Sequence, residues 1–316
     1  MTDFVNSKRE CTRAPESFHR ELARRRLRWT MVFVILAAAF VLITILNINT
    51  GSVHLSAGEI AKVIFSKEGS KTQMDIIWRI RLPRILMAAI LGGALSLSGF
   101  MLQTFFENPI AGPFVLGISS GAKMVVALVM IFYMRQAISL SSYALIFAAF
   151  IGSLIATGFI LLVSRKIRNM AALLVAGIMI GYICSAVTEL VVTFAQDADI
   201  VNLHNWSLGS FSGTTWSSVR AACICVTVIF VLVFLMSKPL SAYQLGESYA
   251  LNLGVNVRLL RIGMVVFSSI LSACVVAFAG PISFVGIAVP QLVKKMLGKG
   301  CVREKNAKEL VVAGAK

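Results

Sequence analysis

The chain has 316 residues, of which 58% are hydrophobic and only 14% are charged, whereas a typical soluble domain carries about 25% charged residues. Such a chain cannot cover a water-facing surface, which excludes an ordinary cytosolic enzyme, a disordered protein and a disulfide-stapled secreted domain. The net charge of +16 would fit nucleic-acid binding, but the cationic residues cluster at the ends of apolar runs, as at membrane interfaces, so no nucleic-acid partner is expected.

Apolar runs of about 20 residues, the length that crosses a bilayer, recur along the chain and predict eight transmembrane helices. The predicted fold is therefore all-α, a polytopic membrane helix bundle over residues 29–297. The spans are predicted at residues 29–48, 84–106, 115–134, 141–163, 171–195, 218–237, 259–279 and 282–297. Small residues recur within them, with G-x-x-x-G pairs at 117/121 and 177/181, and these favour close helix packing.

The distribution of Lys and Arg predicts the orientation of the bundle, because cytoplasmic loops are enriched in these residues. Residues 1–28 hold eight Lys or Arg and are predicted to form a basic cytoplasmic segment. Alternating spans then place residues 238–258 inside and residues 196–217, which hold neither Lys nor Arg, outside. Residues 49–83 do not fit this pattern, since they hold five Lys or Arg on the predicted outer side.

Motifs for ATP binding, catalysis and metal binding are missing from the sequence. The string most similar to a phosphate-binding loop, at 117–124, has the wrong spacing and lacks a Ser or Thr after Lys123. The six cysteines and three histidines form no ligand cluster, so neither a cofactor nor a metal is expected. Energy for any transport is therefore expected from a separate subunit, and the chain is not expected to be an enzyme.

Three separated parts of the chain carry specific motifs. They are WRIRLPR at 78–84, GGALSLSG at 92–99, ENP at 107–109 and LGISSGA at 116–122; WSLGSF at 206–211; and GE at 246–247, LGVN at 253–256, AGPISFVG at 279–286 and VP at 289–290. Together, over about residues 30–298, these motifs resemble the FecCD-type permeases of ABC importers for ferric siderophores, haem and vitamin B12.

This resemblance implies a permease subunit with about ten helices in the cytoplasmic membrane of a prokaryote, surrounded by lipid and with a cytoplasmic N-terminus. It implies a second permease subunit, in a homodimer or heterodimer, around a central path. ATP-binding cassette ATPase subunits are implied on the cytoplasmic side and an extracytoplasmic substrate-binding protein on the other. The implied function is inward movement of an iron chelate such as a siderophore, or of a related metal-containing cofactor, by alternating access.

Two arginines of the first motif, Arg81 and Arg84, resemble the family's docking positions for carboxylates of the binding protein. Arginine suits this role because its planar guanidinium pairs with a carboxylate through two hydrogen bonds. Two arginines one helical turn apart can also share a face. The alternative for both residues is interfacial anchoring of a helix end.

Residues 246–256 resemble the coupling helix through which family permeases contact the ATPase. The usual Glu-Ala-Ala core is replaced here by Ser248, Tyr249 and Ala250. A short amphipathic helix is expected after a break at Pro239, the alternative being a solvated loop. The candidate coupling residues are Gly246, Glu247, Tyr249, Ala250, Leu253 and Gly254.

Gly and Pro residues predict irregular backbone at two places, since such residues interrupt membrane helices where protein or a cavity surrounds the freed backbone. The stretch from Gly280 to Pro290 predicts a broken helix near the outer mouth, and Asn108-Pro109 with Gly112-Pro113 predicts a cytoplasmic turn. The only clear carboxyl in the outer half of a span is Glu189, which either lines the path or lies at the interface. The candidate path or gate residues are Glu189, Trp206, Gly209, Ser210, Gly280 and Pro281.

The end of the chain departs from the family pattern. After Gly298 the resemblance implies two further apolar helices, whereas residues 299–316 hold no apolar run of spanning length. Residues 298–316 are therefore expected to form a short cytoplasmic tail, through truncation, a frameshift or natural variation. Two alternative functions follow: an inactive truncated permease fragment, or a stand-alone secondary transporter that works without nucleotide.

Overall fold

A computed structural model describes residues 2–49, 57–61, 63, 66, 70–134, 142–164 and 170–297. These residues are largely helical, and no β-strand occurs among them. The helices are α1 Thr2–Asn49, α2 Ala57–Ala61, α3 Lys71–Asp75, α4 Leu82–Phe105, α5 Ile118–Met134, α6 Ser142–Ser164, α7 Met170–Thr193, α8 Asp197–Ser207, α9 Trp216–Leu235, α10 Ser237–Gln244, α11 Glu247–Asn252, α12 Val257–Ala279 and α13 Val285–Leu297, with a π-helical turn, Ile76–Arg81, between α3 and α4. The predicted tail at 298–316 lies outside the described residues.

Six helical stretches are long and apolar enough to cross a membrane, which confirms the predicted all-α polytopic bundle. They are Arg26–Asn49, Lys71–Phe105, Tyr143–Ser164, Met170–Thr193, Trp216–Leu235 and Val257–Ala279. The predicted span at 115–134 is a shorter helix, because the chain becomes helical only at Ile118. Of the predicted span at 282–297, the structure describes α13, Val285–Leu297, as a helix of 13 residues, about 20 Å long. Whether this segment crosses the membrane stays a prediction.

The described residues divide into two compact units, of which the smaller contains α1 and residues 292–297. α1 runs without interruption across residue 28, the predicted end of the basic segment. Its large apolar side chains, such as Phe33 and Phe40, are mostly exposed, as expected for a helix that faces lipid. Within this unit Trp29 Nε1 donates a hydrogen bond to the Leu297 carbonyl, 3.2 Å away.

The core of the larger unit, Ala61–Gln291, is built on α12, the most buried of the spanning candidates. α12 packs along α4, and buried serines join the two helices. Ser98 Oγ lies 2.8 Å from Ser268 Oγ and 2.7 Å from Ser272 Oγ. In an apolar environment such hydrogen bonds hold helices together, so they fix the register of α4 on α12.

Glycines allow the closest helix contacts, as the G-x-x-x-G pairs predict. A Cβ added to Gly117 would lie 2.8 Å from the Gly181 nitrogen, and one added to Gly121 would lie 2.7 Å from the Gly152 carbonyl oxygen. Such distances leave no room for a side chain. The beginning of α5 therefore packs directly against the backbones of α6 and α7.

The irregular segment at residues 106–117 packs against the beginning of α13 within the larger unit. Turns are confirmed at Asn108-Pro109 and at Gly112-Pro113, where the Ala111 N–H donates to the Asn108 carbonyl and the Val115 N–H donates to the Gly112 carbonyl. Their cytoplasmic location stays a prediction, and Gly112 and Pro113 are buried. A Cβ added to Gly112 would meet the Ile287 side chain, and one added to Gly286 would meet Pro113. Irregular backbone is tolerated at membrane depth where protein surrounds it, and this packing provides that surrounding.

Candidate functional site

Two cavities lie at opposite ends of the larger unit. The smaller, about 240 Å³, is lined by the beginnings of α4, α6 and α9, the end of α12 and the segment after α8. We call this the Arg84 end. The larger, about 1220 Å³, is lined by the ends of α4 and α6, the beginnings of α7 and α12, and α11. We call this the Tyr243 end.

At the Arg84 end, three of the six predicted path residues, Trp206, Ser210 and Gly280, line the smaller cavity, and Gly209 and Pro281 lie next to them. The backbone N–H of Ser210 donates to the Ala279 carbonyl at 2.8 Å, which ties the WSLGSF motif to the break after α12. Gly280 has φ +78°, and a Cβ there would lie 2.8 Å from the Trp206 carbonyl oxygen. A Cβ on Gly209 would lie 3.6 Å from the Pro281 carbonyl oxygen, so the two segments touch through their backbones.

Glu189, the sixth predicted path residue, is not part of this arrangement. It is exposed on α7 and lines neither of the two cavities. Its predicted role stays a prediction.

Local hydrogen bonds hold the segment between α8 and α9 in place. Ser210 Oγ accepts from the Ser212 N–H at 3.0 Å, and Thr215 caps α9 by accepting from the Ser218 N–H at 3.3 Å. Trp216 Nε1 then donates to the Trp78 carbonyl at 2.7 Å. The sequence signal for the cap, a Thr before an apolar run, was present, but nothing in the sequence linked Trp216 to Trp78.

The two arginines predicted to dock a partner differ in exposure. Arg81 ends the π-helical turn and is only 8% exposed, whereas Arg84, in the first turn of α4, is exposed. They therefore do not present one accessible face. A third arginine that the prediction did not include, Arg79, pairs with Asp75 at 3.0 Å.

At the Tyr243 end, residues 237–252 form two short helices, where the sequence predicted one after a break at Pro239. Pro239 lies in the first turn of α10, where the missing N–H costs nothing, so it does not end a helix. In α11 the side chain of Ala250 is fully buried, while Tyr249 and Leu253 are 47% and 58% exposed. One side of the segment is thus anchored and the other is available for contact.

Polar contacts anchor α11 to α12. Arg261 Nη2 donates a hydrogen bond to Glu247 Oε2 at 2.8 Å, and Arg261 Nε donates one to the Tyr243 hydroxyl at 3.2 Å. Its guanidinium also lies 5.7 Å from the centre of the Tyr243 ring, a cation–π distance. Burial raises the pKa of Tyr243 above its usual value, an effect that the Arg261 hydrogen bond opposes, so the phenol stays neutral at physiological pH.

Amide side chains connect α13 with α4, and α4 with α10. Gln291 Nε2 donates to Gln103 Oε1 at 2.7 Å, and Gln103 Nε2 donates to the Ile287 carbonyl at 3.1 Å. The next residue of α4, Thr104, accepts from Gln244 Nε2 at 3.3 Å. Among the described residues, no group of three or more His, Cys, Asp or Glu is placed to hold a metal ion.

Comparisons with known proteins agree with this arrangement. The chain matches the FecCD transport family over residues 30–304. It is 35% identical over 265 residues to the hemin transport system permease protein HmuU of Yersinia pestis, covering 83% of this chain and 79% of HmuU. It is 32% identical over 283 residues to the vitamin B12 import system permease protein BtuC of Vibrio cholerae, covering 89% and 82%.

Among solved structures, an inward-facing metal-chelate type ABC transporter is similar, with a TM-score of 0.74 and 26% sequence identity. The likeness covers 85% of this chain and 82% of that one. The family match at residues 30–304 includes all of the larger unit.

Proposed function

The chain belongs to the FecCD transport family, and from that premise we propose that it is the permease subunit of an ATP-binding cassette importer. The proposed cargo is an iron chelate such as a siderophore, or a related metal-containing cofactor. The relatives named for hemin and vitamin B12, and the similar structure named for a metal chelate, support this chemical class. The observation that carries the proposal is the family match itself, which includes both ends of the larger unit.

In this proposal the Arg84 end faces outward and the Tyr243 end faces the cytoplasm of a prokaryote. The lack of Lys and Arg in residues 196–217 supports that orientation. An extracytoplasmic binding protein delivers cargo to the outward end, and a second permease subunit, identical or different, completes the path. The contact of Ser210 with Ala279 is the proposed outer closure of this path.

ATP binding and hydrolysis on separate ATPase subunits drive the proposed alternation. α11 is the proposed contact with the ATPase, because its buried Ala250 and the Glu247–Arg261 ion pair attach it firmly to α12. Movement of α11 therefore moves the end of a helix that reaches the outer break at Gly280. The exposed Tyr249 and Leu253 supply the apolar contact surface.

Replacement of Tyr249 by Ala tests this function. A buried aromatic contact often dominates an interface, and its loss costs about 2 kcal/mol or more, so we expect a roughly thirtyfold weaker ATPase association. The measurement is the affinity of the purified ATPase for wild-type and variant permease. Ser248→Ala, a neighbouring exposed position, serves as the control and should bind normally. Wild-type affinity in both Tyr249→Ala and Leu253→Ala would show that α11 is not the coupling element.

A further inference from the structure

The cavity at the Tyr243 end combines an apolar wall with a charged rim. Its apolar lining includes Leu161 and Leu173 from α6 and α7 and Ile262 from α12, and its charged lining residues are Glu247, Arg258 and Arg261. At about 1220 Å³ it exceeds the range of about 300–1,000 Å³ that is common for small-molecule sites. The occupant is therefore large, amphipathic and charged at one end.

The charge of the rim is positive. Arg261 is neutralised by Glu247 at 2.8 Å, but Arg258 is exposed and takes part in no ion pair within the part of the chain that the structure describes. The rim therefore attracts an anion.

The level of the cavity in the bundle matches a bilayer interface. Its lining comes from the last turn of α6 and the first turns of α7 and α12, which are ends of spanning candidates. The ends of spanning helices lie where the hydrocarbon core gives way to headgroups. Basic pockets between transmembrane helices at this level suit anionic lipid headgroups.

We propose that this cavity is a binding site for an anionic phospholipid. Arg258 binds the headgroup phosphate, and the acyl chains lie along Leu161, Leu173 and Ile262. The site borders the proposed ATPase contact, but Tyr249 and Leu253, its exposed apolar residues, do not line the cavity. It nevertheless touches α11 through Glu247 and Leu251, so the lipid stabilises the position of α11 on α12.

Thermal unfolding of the purified full-length chain tests the proposal. After delipidation in a zwitterionic detergent, phosphatidylglycerol should raise the unfolding midpoint, because a ligand that binds only the folded state stabilises it. Phosphatidylcholine with the same acyl chains should raise it much less, and soluble glycerol phosphate should not raise it. Arg258→Glu should increase the half-maximal phosphatidylglycerol concentration at least tenfold, whereas Arg220→Glu, an exposed arginine on α9, should leave it unchanged.

A second variant keeps the test decisive if Arg258→Glu folds poorly. Ile262 is partly exposed, so Ile262→Trp should fill the apolar part of the cavity without changing charge and should also remove the phosphatidylglycerol response. Equal responses to both lipids, or a wild-type response in both cavity variants, would overturn the proposal and leave the cavity to another occupant, such as a segment of the ATPase. An equal shift with glycerol phosphate would overturn the lipid assignment.

Discussion

Gly280 lies where α12 ends and the chain turns back toward the interior of the larger unit. Its φ of +78° is in the left-handed region, which costs an L-residue about 1–2 kcal/mol. The backbone of Trp206 and Gly209 also leaves no space for a Cβ there. Two separate physical requirements therefore select glycine at this position.

Gly280→Ala should destabilise the chain more than Gly213→Ala. Gly213 has φ +81°, but no atom lies within 4 Å of a Cβ built there. The control therefore carries only the backbone cost of about 1–2 kcal/mol, whereas Gly280→Ala adds a steric clash. Thermal unfolding midpoints of the two variants measure the difference, and equal midpoints would contradict the close packing of this break.

Arg81 and Arg84 belong to the same motif, but they differ in how accessible their side chains are. Both belong to the WRIRLPR string, but the π-helical turn ends at Arg81 and buries it. Short π-helical segments recur at functional sites, and here the segment leaves Arg84 as the more accessible cation. Arg84 is therefore the better candidate for contact with a carboxylate of a binding protein.

Charge reversal at Arg84 should weaken binding-protein association at least tenfold, equivalent to about 1.4 kcal/mol, because an attractive pair becomes a repulsive one. Lys238→Glu makes the same change of charge on α10, at the Tyr243 end, and should have no effect. Affinity for the purified binding protein is the measurement. A carboxylate-to-Lys change on the binding protein should restore binding to Arg84→Glu, and unchanged affinity of that variant would leave Arg84 as an interfacial anchor.

The position of α13 depends on polar contacts with α4. Gln103 is buried and bonds both the Ile287 carbonyl and the Gln291 amide. Gly286 approaches Gly99 so closely that a Cβ on Gly99 would overlap the Gly286 carbonyl. Hydrogen bonds and backbone contact thus hold α13 against α4.

A double-mutant cycle measures the interaction of Gln103 with Gln291. Each single change to Leu should lower the free energy of unfolding by about 1–3 kcal/mol, because it leaves a polar partner unsatisfied. The double variant should lose less than the sum, because both polar groups are then removed. Unfolding in mixed micelles provides the measurement, and strict additivity would show that the hydrogen bond does not contribute.

Element boundaries also show the limits of sequence patterns. α5 begins only at Ile118 because residues 106–117 are irregular. Some of these residues, such as Ala111 and Leu116, are fully buried, and their apolar character resembles that of a helix. Hydropathy reports burial, and it does not distinguish a buried helix from a buried irregular segment.

At the scale of the whole molecule, the two cavities define two ends with different chemistry. The Arg84 end holds a backbone closure between two motifs, and the Tyr243 end holds an ion pair and a wide cavity. The proposed importer requires these ends to face opposite sides of the membrane.

Cysteine labelling tests that orientation with two isosteric changes. Ser212 and Ser248 are both exposed. The cysteines in Ser212→Cys and Ser248→Cys should therefore react with any reagent that reaches their side of the membrane. In a background without native cysteines, a membrane-impermeant maleimide should label residue 212 in intact cells. It should label residue 248 only after permeabilisation. The opposite pattern would invert the orientation.

The sequence by itself determined the membrane bundle and the family, because apolar run length and short Gly/Pro motifs are local properties. Only the tertiary structure decided that residues 206–210 meet residues 279–281, that Arg81 is buried and Arg84 is not, and that Glu247 pairs with Arg261. These features join residues on different helices. Their physical cause is the packing of glycine backbones and buried polar side chains, which fixes how helices meet and which no local pattern contains.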